Sequence, residues 1–560
     1  MLKSLAPNSS IAVLGSGISG LTFSFFLNRL RPDVKIHIFE KSKQVGGWIR
    51  SEEHETFHFE KGPRTLRGTN TGTLMLLDLL TKIGANDKVL GLHKDSLANK
   101  KYLLSPFSDV HGNNAKLLQV PQDFSSFVKF MFDPLSKDLI LGLLKEPWQP
   151  KLKYSDESVD HFFNRRFATK LSENIVSAIV HGIYAGDVKK LSVKAIFPRL
   201  PEMEQESGSI IRYMIAQYRT KKNVKQKVDP FLADYEKLIG TSLSFKNISL
   251  FLKNFPMLSF QGGLQKLPIS LKNHLSQIEN IKFHFDSKIK NIALESGKVA
   301  LTDHDQVYLV DHVRSTINTN ELAKIISPVV PSSTKKKSVF KSKANGPGLV
   351  KCLSWLHYTN ILMCNIYIPK HVSKSITGFG YLVPRSMSSQ ASKLLGVIFD
   401  SDIETAMTPN FTEANITAIN SNSASPKQLQ KFSDQFVNND LPKYTKLTLM
   451  LGGHYLKSEA DMPGSAESKH AVKAILSNHL NIDLDEFASL PDFKMEITKI
   501  PNCIPQYEVG YLDLKRKVQN AASKEFNDQI SFGGMAFGDG VGIPDCVQNA
   551  FKDSATLSGI

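Results

Sequence analysis

Three glycines, Gly15, Gly17 and Gly20, fall in the stretch GSGISG. An apolar run at 11–14 comes directly before them and an apolar stretch with helical spacing directly after. Strand, glycine turn and helix in this order suit a dinucleotide. The turn lets the backbone approach a pyrophosphate, and the amides of the helix N-terminus face its charge. Ser16, Ile18 and Ser19 complete the turn. A second strand-like run, VKIHIFE, ends on Glu40, twenty residues after Gly20. A carboxylate there accepts hydrogen bonds from both ribose hydroxyls of an adenosine and repels a phosphorylated ribose, which argues against NADP. Lys41 follows at the edge of the same site.

Two further stretches carry residues fit for chemistry. In FEKGPRTLR, residues 59–67, Gly62 and Pro63 restrict the backbone and present Arg64, Thr65 and Arg67. Arg67 reads equally well as a solvated surface charge. In EKSKQVGGWIRS a glycine pair, Gly46 and Gly47, follows the acidic residue. This resembles the second glycine-rich element of FAD oxidases of the amine oxidase and phytoene desaturase type. By that resemblance Arg50 contacts a cofactor phosphate, and Trp48 is either a cofactor neighbour or ordinary core. The class also needs a C-terminal part, and DQISFGGMAFGDGVGIPDC supplies one: a strand at 530–532, a glycine-rich loop, then Pro544 and Asp545 at a helix start. The resemblance implies that Ala536, Val541, Gly542 and Ile543 lie at the FAD, with the positive end of the last helix at the flavin's pyrimidine edge. It also implies a cofactor contact for Ile289, on a strand after the glycine pair and amphipathic helix at 259–275.

The motifs GPRTLR, ESVDHFFNRRF, HGIYAGDVKKLSVKAIFPRL, GFGYLVP, LLGVIFDS, LMLGG, IPNCIPQYEVGY and GVGIPDC occur in one order along the chain. In that order they resemble the protoporphyrinogen oxidase family, in its mitochondrial, fungal form. The resemblance implies that Gly62, Pro63, Arg64 and Thr65 form the turn that closes over the flavin. It implies protoporphyrinogen IX as substrate, oxygen as electron acceptor and peroxide as by-product. Carried over by motif, Lys101 stands where the family has an arginine for a substrate propionate, with Lys100 adjacent; it keeps the charge and loses the bidentate fork. Ile179 and Gly182 flank the macrocycle, Phe379 and Leu382 pack on its faces, and Ile398 and Met450 extend the apolar wall. His181 replaces a family arginine. No side chain stands out as an essential acid or base, and no metal site is expected. An amine or carotenoid oxidase sharing the FAD half, or a non-catalytic flavin or tetrapyrrole carrier, are the alternatives.

The resemblance implies an α/β plus α+β architecture to position these residues: a discontinuous Rossmann-like FAD-binding domain, a mixed-sheet substrate domain and a helical membrane-binding domain. The expected divisions are FAD-binding parts at 1–92, 258–325 and 491–560, a helical membrane and substrate-channel part at 93–230, and a substrate-binding part at 326–490. Residues 124–148 mix phenylalanines and leucines with lysines and break at Pro134, which suits a segment lying in one leaflet. Buried helices are the alternative. The basic stretches 219–228 and 333–347 suit anionic lipid or plain solvated loops. Residues 405–440, rich in Asn, Ser and Thr, read as a surface insertion.

Composition bounds the partners. The 560 residues carry a net charge of +16, which favours an anionic partner. No zinc-finger spacing or arginine-rich reading helix points to nucleic acid. Four scattered cysteines read as free thiols. No apolar run reaches membrane-span length, and the N-terminus has no secretory character. The sequons at Asn410 and Asn415 are therefore chance matches. The resemblance alone implies the mitochondrial inner membrane, on its intermembrane-space face, with ferrochelatase and a second copy of the chain as partners.

Overall fold

In the strand Ser10–Leu14, residues 11–14 are apolar without interruption because both of its faces are covered. Ile11 and Val13 point into one core, shared with the helices Ile18–Leu30 and Ile543–Ser558. Ala12 and Leu14 point into a second core, with Ile292 and Leu301. Around this strand the parallel sheet runs Ile281–His284, Lys35–Phe39, Ser10–Leu14, His312–Ser315, Ile530–Phe532. One sheet is thus assembled from the beginning, middle and end of the chain. The antiparallel meander Ile289–Glu295, Lys298–Asp303, Gln306–Val310 lies over its second face. The computed structural model describes residues 4–108, 115–122, 124–136, 139–151, 156–167, 169–220, 230–304, 306–326, 348–372, 376–387, 393–421 and 425–560. Most of the basic stretch 219–228, and all of 333–347, lie outside these residues.

A second, mixed sheet has seven strands, in the order Lys494–Pro505, Tyr358–Ile368, Thr445–Gly453, Leu394–Ile398, Gly380–Leu382, Lys101–Ser108, Ala115–Gln119. Its edge strands come from outside 326–490. The region 93–230 therefore supplies two strands here besides its helices. One face packs on the helix Ser465–Leu480 through Tyr381, Val397, Leu449 and Cys364. The other face carries the candidate site.

In the helical part, Phe124–Met131 and Leu139–Lys145 are separate helices, with a short turn from Pro134 between them. Arg166 is fully buried, pairing with Glu146 and with Glu204 at 3.3 Å. Glu146 also accepts the amides of Ile210 and Ile211 at 3.0 and 3.2 Å, which satisfies the N-terminus of the helix Ile210–Thr220. No helix among the described residues is long and apolar enough to cross a membrane.

Residues 405–440 do not form a mere surface insertion. They fold into the helices Glu413–Asn420 and Pro426–Asp434. Phe411, Ile419 and Leu429 are buried in the first core, and Asn247 donates to the Ile419 carbonyl at 2.9 Å. The apolar positions outweigh the polar average once they share one side. Asn410 is fully buried, which puts its sequon out of reach of glycosylation. The four cysteines are buried and make no disulfide.

Candidate functional site

The glycine turn is built as its spacing predicts, and each glycine has a different reason. Gly15 has a φ of +95°, which favours glycine. A Cβ on Gly20 would lie 2.1 Å from the Gly15 carbonyl oxygen, so this glycine lets helix and turn pack. Gly17 has an ordinary φ of −69°, and a Cβ there would meet nothing closer than 3.9 Å. Opposite it stand Gly46, whose amide donates to the Ser16 carbonyl at 3.0 Å, and Gly47, with a φ of +59°. The two glycine elements form a cradle that side chains would fill. The helix Ile18–Leu30 behind it has no side-chain cap at Gly17 and no acidic residue in its first turn. Its positive end is uncompensated, as a pyrophosphate requires.

Glu40 directly follows the strand Lys35–Phe39 beside this turn, 8% exposed. One carboxylate oxygen accepts from the Ser16 amide and hydroxyl at 2.9 and 2.8 Å, the other from the amide and hydroxyl of Ser42 at 3.0 Å each. Lys41, Trp48 and Arg50 are exposed at the rim. Ile289 is half-buried at the start of its strand. Ala536 is buried, and its carbonyl accepts from the Tyr511 hydroxyl at 2.9 Å. Gly542 caps the helix Ile543–Ser558, with Val541 half-exposed before it. The positive end of this helix is less free than the sequence suggests. Asp545 accepts from the Gly542 amide at 3.1 Å and from Asn70 at 3.0 Å.

The turn 62–65 departs from expectation in its cause. Gly62 does not have a positive φ; a Cβ there would fall 1.8 Å from the Trp48 carbonyl oxygen. Close packing against the second glycine element therefore demands the glycine. Arg64 is buried, with Nε 3.2 Å from Asp400 Oδ1 and a guanidinium nitrogen 3.8 Å from the Met363 sulfur. Asp400 Oδ2 accepts from Thr448 at 2.7 Å. Asn365 donates to Thr448 at 3.0 Å and to the Glu60 carbonyl at 3.2 Å. This network ties the turn to the seven-stranded sheet. Burial pushes the Asp400 carboxyl up, against the pull of Arg64 and Lys446. Arg67 is exposed.

Register places the wall residues. Lys101 pairs with Gly380, Gly380 with Ile398 and Ile398 with Thr448. Leu382 pairs with Gly396, Gly396 with Met450 and Met450 with Met363. Directly paired residues, and residues two apart, project to the same face. Lys101, Leu382, Ile398 and Met450, spread over 350 positions of the chain, thus share one face, with Thr448 and Met363 among them. Phe379 and Ile398 pack against the same apolar cluster, and the Lys101 ammonium lies 6.0 Å from the Phe379 ring centre. Burial lowers the Lys101 pKa. A Cβ on Gly182 would lie 2.9 Å from Leu382, which brings the helix Ser177–Tyr184, with Ile179 exposed on it, to the same wall.

His181 makes no ion pair among the described residues. Its Nδ1 must donate to the Val383 carbonyl, 2.8 Å away, so its Nε2 accepts from His454 Nε2 at 3.0 Å. Burial lowers the His181 pKa and pushes His454 down to about 3, so both rings are neutral at pH 7. His454, 273 residues away, gave no sign of this role in the sequence. Asp400 did carry a signal, because it lies inside the motif LLGVIFDS.

Residues 18–356 match the family of flavin containing amine oxidoreductases. The chain is 34% identical to protoporphyrinogen oxidase of Saccharomyces cerevisiae, covering 100% of this chain and 99% of that one. It is 25% identical to protoporphyrinogen oxidase of Homo sapiens, over 98% of each. Among solved structures, a putative protoporphyrinogen oxidase from Exiguobacterium superposes with a TM-score of 0.65 over 98% of both chains at 18% identity. Putrescine oxidase bound to putrescine superposes with a TM-score of 0.56 over 99% of both chains at 10% identity. At such identities the superpositions speak for the fold.

Proposed function

The chain belongs to the flavin containing amine oxidoreductases and, within them, to the protoporphyrinogen oxidases, and from that premise we propose how its residues serve the reaction. It is an FAD-dependent enzyme that oxidises protoporphyrinogen IX to protoporphyrin IX in haem synthesis. When bound, FAD takes up the hydrogen and electron pairs of the substrate and passes the electrons to oxygen. The protein binds, orients and excludes water. Gly15 to Gly20 would approach the pyrophosphate, and Glu40, released from Ser16 or Ser42, would take the ribose hydroxyls. Arg50 and Lys41 would meet the charged rim, and Trp48, Ile289, Ala536 and the stretch 541–543 would line the cofactor. The turn 62–65 would lie over the flavin, its backbone held in place by the buried Arg64 side chain.

One observation carries the substrate assignment. Four wall residues far apart in sequence meet on one sheet face, alongside Phe379 and the Gly182 helix. Leu382, Ile398, Met450 and Phe379 make an apolar surface here, with the Lys101 ammonium at its edge. That suits a flat, apolar macrocycle bearing propionates. Lys101→Glu is expected to raise KM about tenfold, a loss of roughly 1.4 kcal/mol, with kcat little changed. Unchanged KM in steady-state kinetics would remove Lys101 as the propionate anchor. The activity itself is tested by porphyrin fluorescence, with peroxide followed, when the FAD-loaded protein meets protoporphyrinogen IX in air. No rise above autoxidation would refute it. Bleaching of the flavin by anaerobic substrate separates an enzyme from a carrier.

We further propose that 124–148 docks on a membrane. Phe124, Phe132 and Trp148 are 82%, 85% and 78% exposed, and Leu141 and Leu144 lie beside them in sequence with their side chains out. Leu382 of the wall shares one apolar cluster with Phe130 and Leu135, so the wall is continuous with this segment. An apolar substrate could then enter from lipid. Burying an aromatic side chain in lipid contributes about 1.5–3 kcal/mol. The double substitution Phe132→Glu and Trp148→Glu should therefore weaken binding to phosphatidylcholine–cardiolipin vesicles at least tenfold in a sedimentation assay. Equal sedimentation of the two proteins would sink this docking surface. Family membership supports a place on the inner mitochondrial membrane, facing the intermembrane space, with delivery of product to ferrochelatase and a homodimeric state as further parts of the proposal.

A further inference from the structure

Behind the turn 62–65 lies a cleft of about 230 Å³, lined by Glu60, Arg64, Asp400, Glu404, His58 and Tyr444 among others. Its place follows from the sheet face already described. Along Thr445–Gly453, Met450, Thr448 and Lys446 project to one side. The wall changes from thioether to hydroxyl to ammonium within these positions. Thr448 bonds Asp400, and Lys446 reaches Glu404 and the His58 carbonyl. Arg64 and Asp400 line its buried end, beside the turn 62–65, while Thr56, Gln261 and Gly262 are exposed at the outer end. The space is roomy and polar enough to hold several waters.

The chemistry can use such a place. Each two-electron step takes from the substrate one C–H hydrogen with its electron pair and one N–H proton, and one tautomerisation that moves a bridge C–H hydrogen to nitrogen brings the three steps to the product's loss of four C–H and two N–H hydrogens. Oxygen finally receives both electrons and both hydrogens as peroxide. The N–H proton leaves the substrate in one half-reaction and a proton is taken up at oxygen in the other, and a base beside the site can carry it between them. Leu382, Ile398, Met450 and Phe379 offer no base, and Lys101 is a cation. Glu60 stands apart from these. It is 4% exposed, and its oxygens accept from the Leu264 amide at 2.7 Å and the Ser51 hydroxyl at 2.9 Å. His58 Nε2 lies 3.7 Å away, Arg64 and Lys446 face it as cations, and the Asp400 and Glu404 carboxyls line the same cleft.

We infer that this cleft holds the N–H proton between the two half-reactions, with Glu60 as its acceptor and cleft water as its path. Burial outweighs the hydrogen bonds and cations and raises the Glu60 pKa to about 7, so the carboxyl exchanges a proton readily near neutral pH. His58 is held below its ordinary value by burial and Lys446, so it is neutral there and does not compete as a cation. The inference rests on the proposed position of the turn 62–65 against the flavin.

The test is the pH dependence of kcat, measured on FAD-loaded protein with protoporphyrinogen IX. Glu60 accepts only when ionised, so wild-type activity should rise with pH through about 7. Glu60→Gln should lose that rising limb and at least tenfold in kcat above it, with KM and FAD content unchanged; Glu60→Asp should keep the limb. Lys446→Met removes a facing cation without touching Glu60 and should move the limb to higher pH. An unchanged limb in Glu60→Gln overturns the inference. If that variant fails to hold FAD, an unmoved limb in Lys446→Met overturns it instead. Wild-type protein that holds FAD yet leaves protoporphyrinogen unoxidised overturns the functional proposal, and this one with it.

Discussion

Replacing Gly17 with valine is expected to yield folded protein without flavin. The backbone at Gly17 has a φ of −69°, open to any residue, and a Cβ would find no protein atom within 3.9 Å. The fold therefore does not require this glycine. A pyrophosphate does, since the turn has to come within hydrogen-bonding distance of it. Valine should weaken FAD binding on the order of 100-fold or more, about 3 kcal/mol, while thermal unfolding of the cofactor-free protein stays near wild type. Gly20 gives the contrasting result. Its Cβ would overlap the Gly15 carbonyl oxygen at 2.1 Å, so Gly20→Val should lower the melting temperature of the cofactor-free protein as well. Yellow Gly17→Val protein with full flavin content would mean that the cradle is not where FAD binds.

Asp400→Ala is expected to cost about 3–5 kcal/mol of stability, because it leaves the Arg64 guanidinium buried without its carboxylate. The pair as a whole contributes little. The carboxyl's pKa is raised in the fold, which means burial costs it more than Arg64 and Lys446 return. A group raised in this way weakens the fold above its unfolded pKa and ceases to do so once pH falls below it. Arg64→Met with Asp400→Leu should therefore recover most of the lost stability. It should not recover activity, because the turn 62–65 would lose its tie through Asp400 and Thr448 to the sheet. Urea unfolding and kcat measured on the two single variants and the double variant decide this. A double variant as unstable as Asp400→Ala would show that the apolar pair does not fit the site.

Much of the cofactor half was legible because it is local. The glycine turn, the strand ending on Glu40 and the C-terminal strand, loop and helix each lie within a few residues of one another. Backbone sterics and helix-end electrostatics act at that range, so type and spacing are enough. Local sequence was less reliable about causes. Gly62 invites an argument from backbone freedom, yet its reason is the Trp48 carbonyl, which only packing brings close. The polar stretch 405–440 reads as solvated, yet burial depends on which residues share a side, and Phe411, Ile419 and Leu429 do.

The sequence by itself determined a strand, a glycine turn and a helix of the kind that suits a dinucleotide, and a strand, glycine-rich loop and helix at 530–558. Short-range geometry decides those. Tertiary structure alone decided that Lys101, Leu382, Ile398 and Met450 share a face, that His181 is tied to His454 rather than to an acid, and that Glu60 and Asp400 are buried beside Arg64. Which face a strand residue occupies depends on register, and register is set between strands hundreds of residues apart. Burial then sets the ionisation of each carboxyl, and no local stretch of sequence contains the partners that bury it.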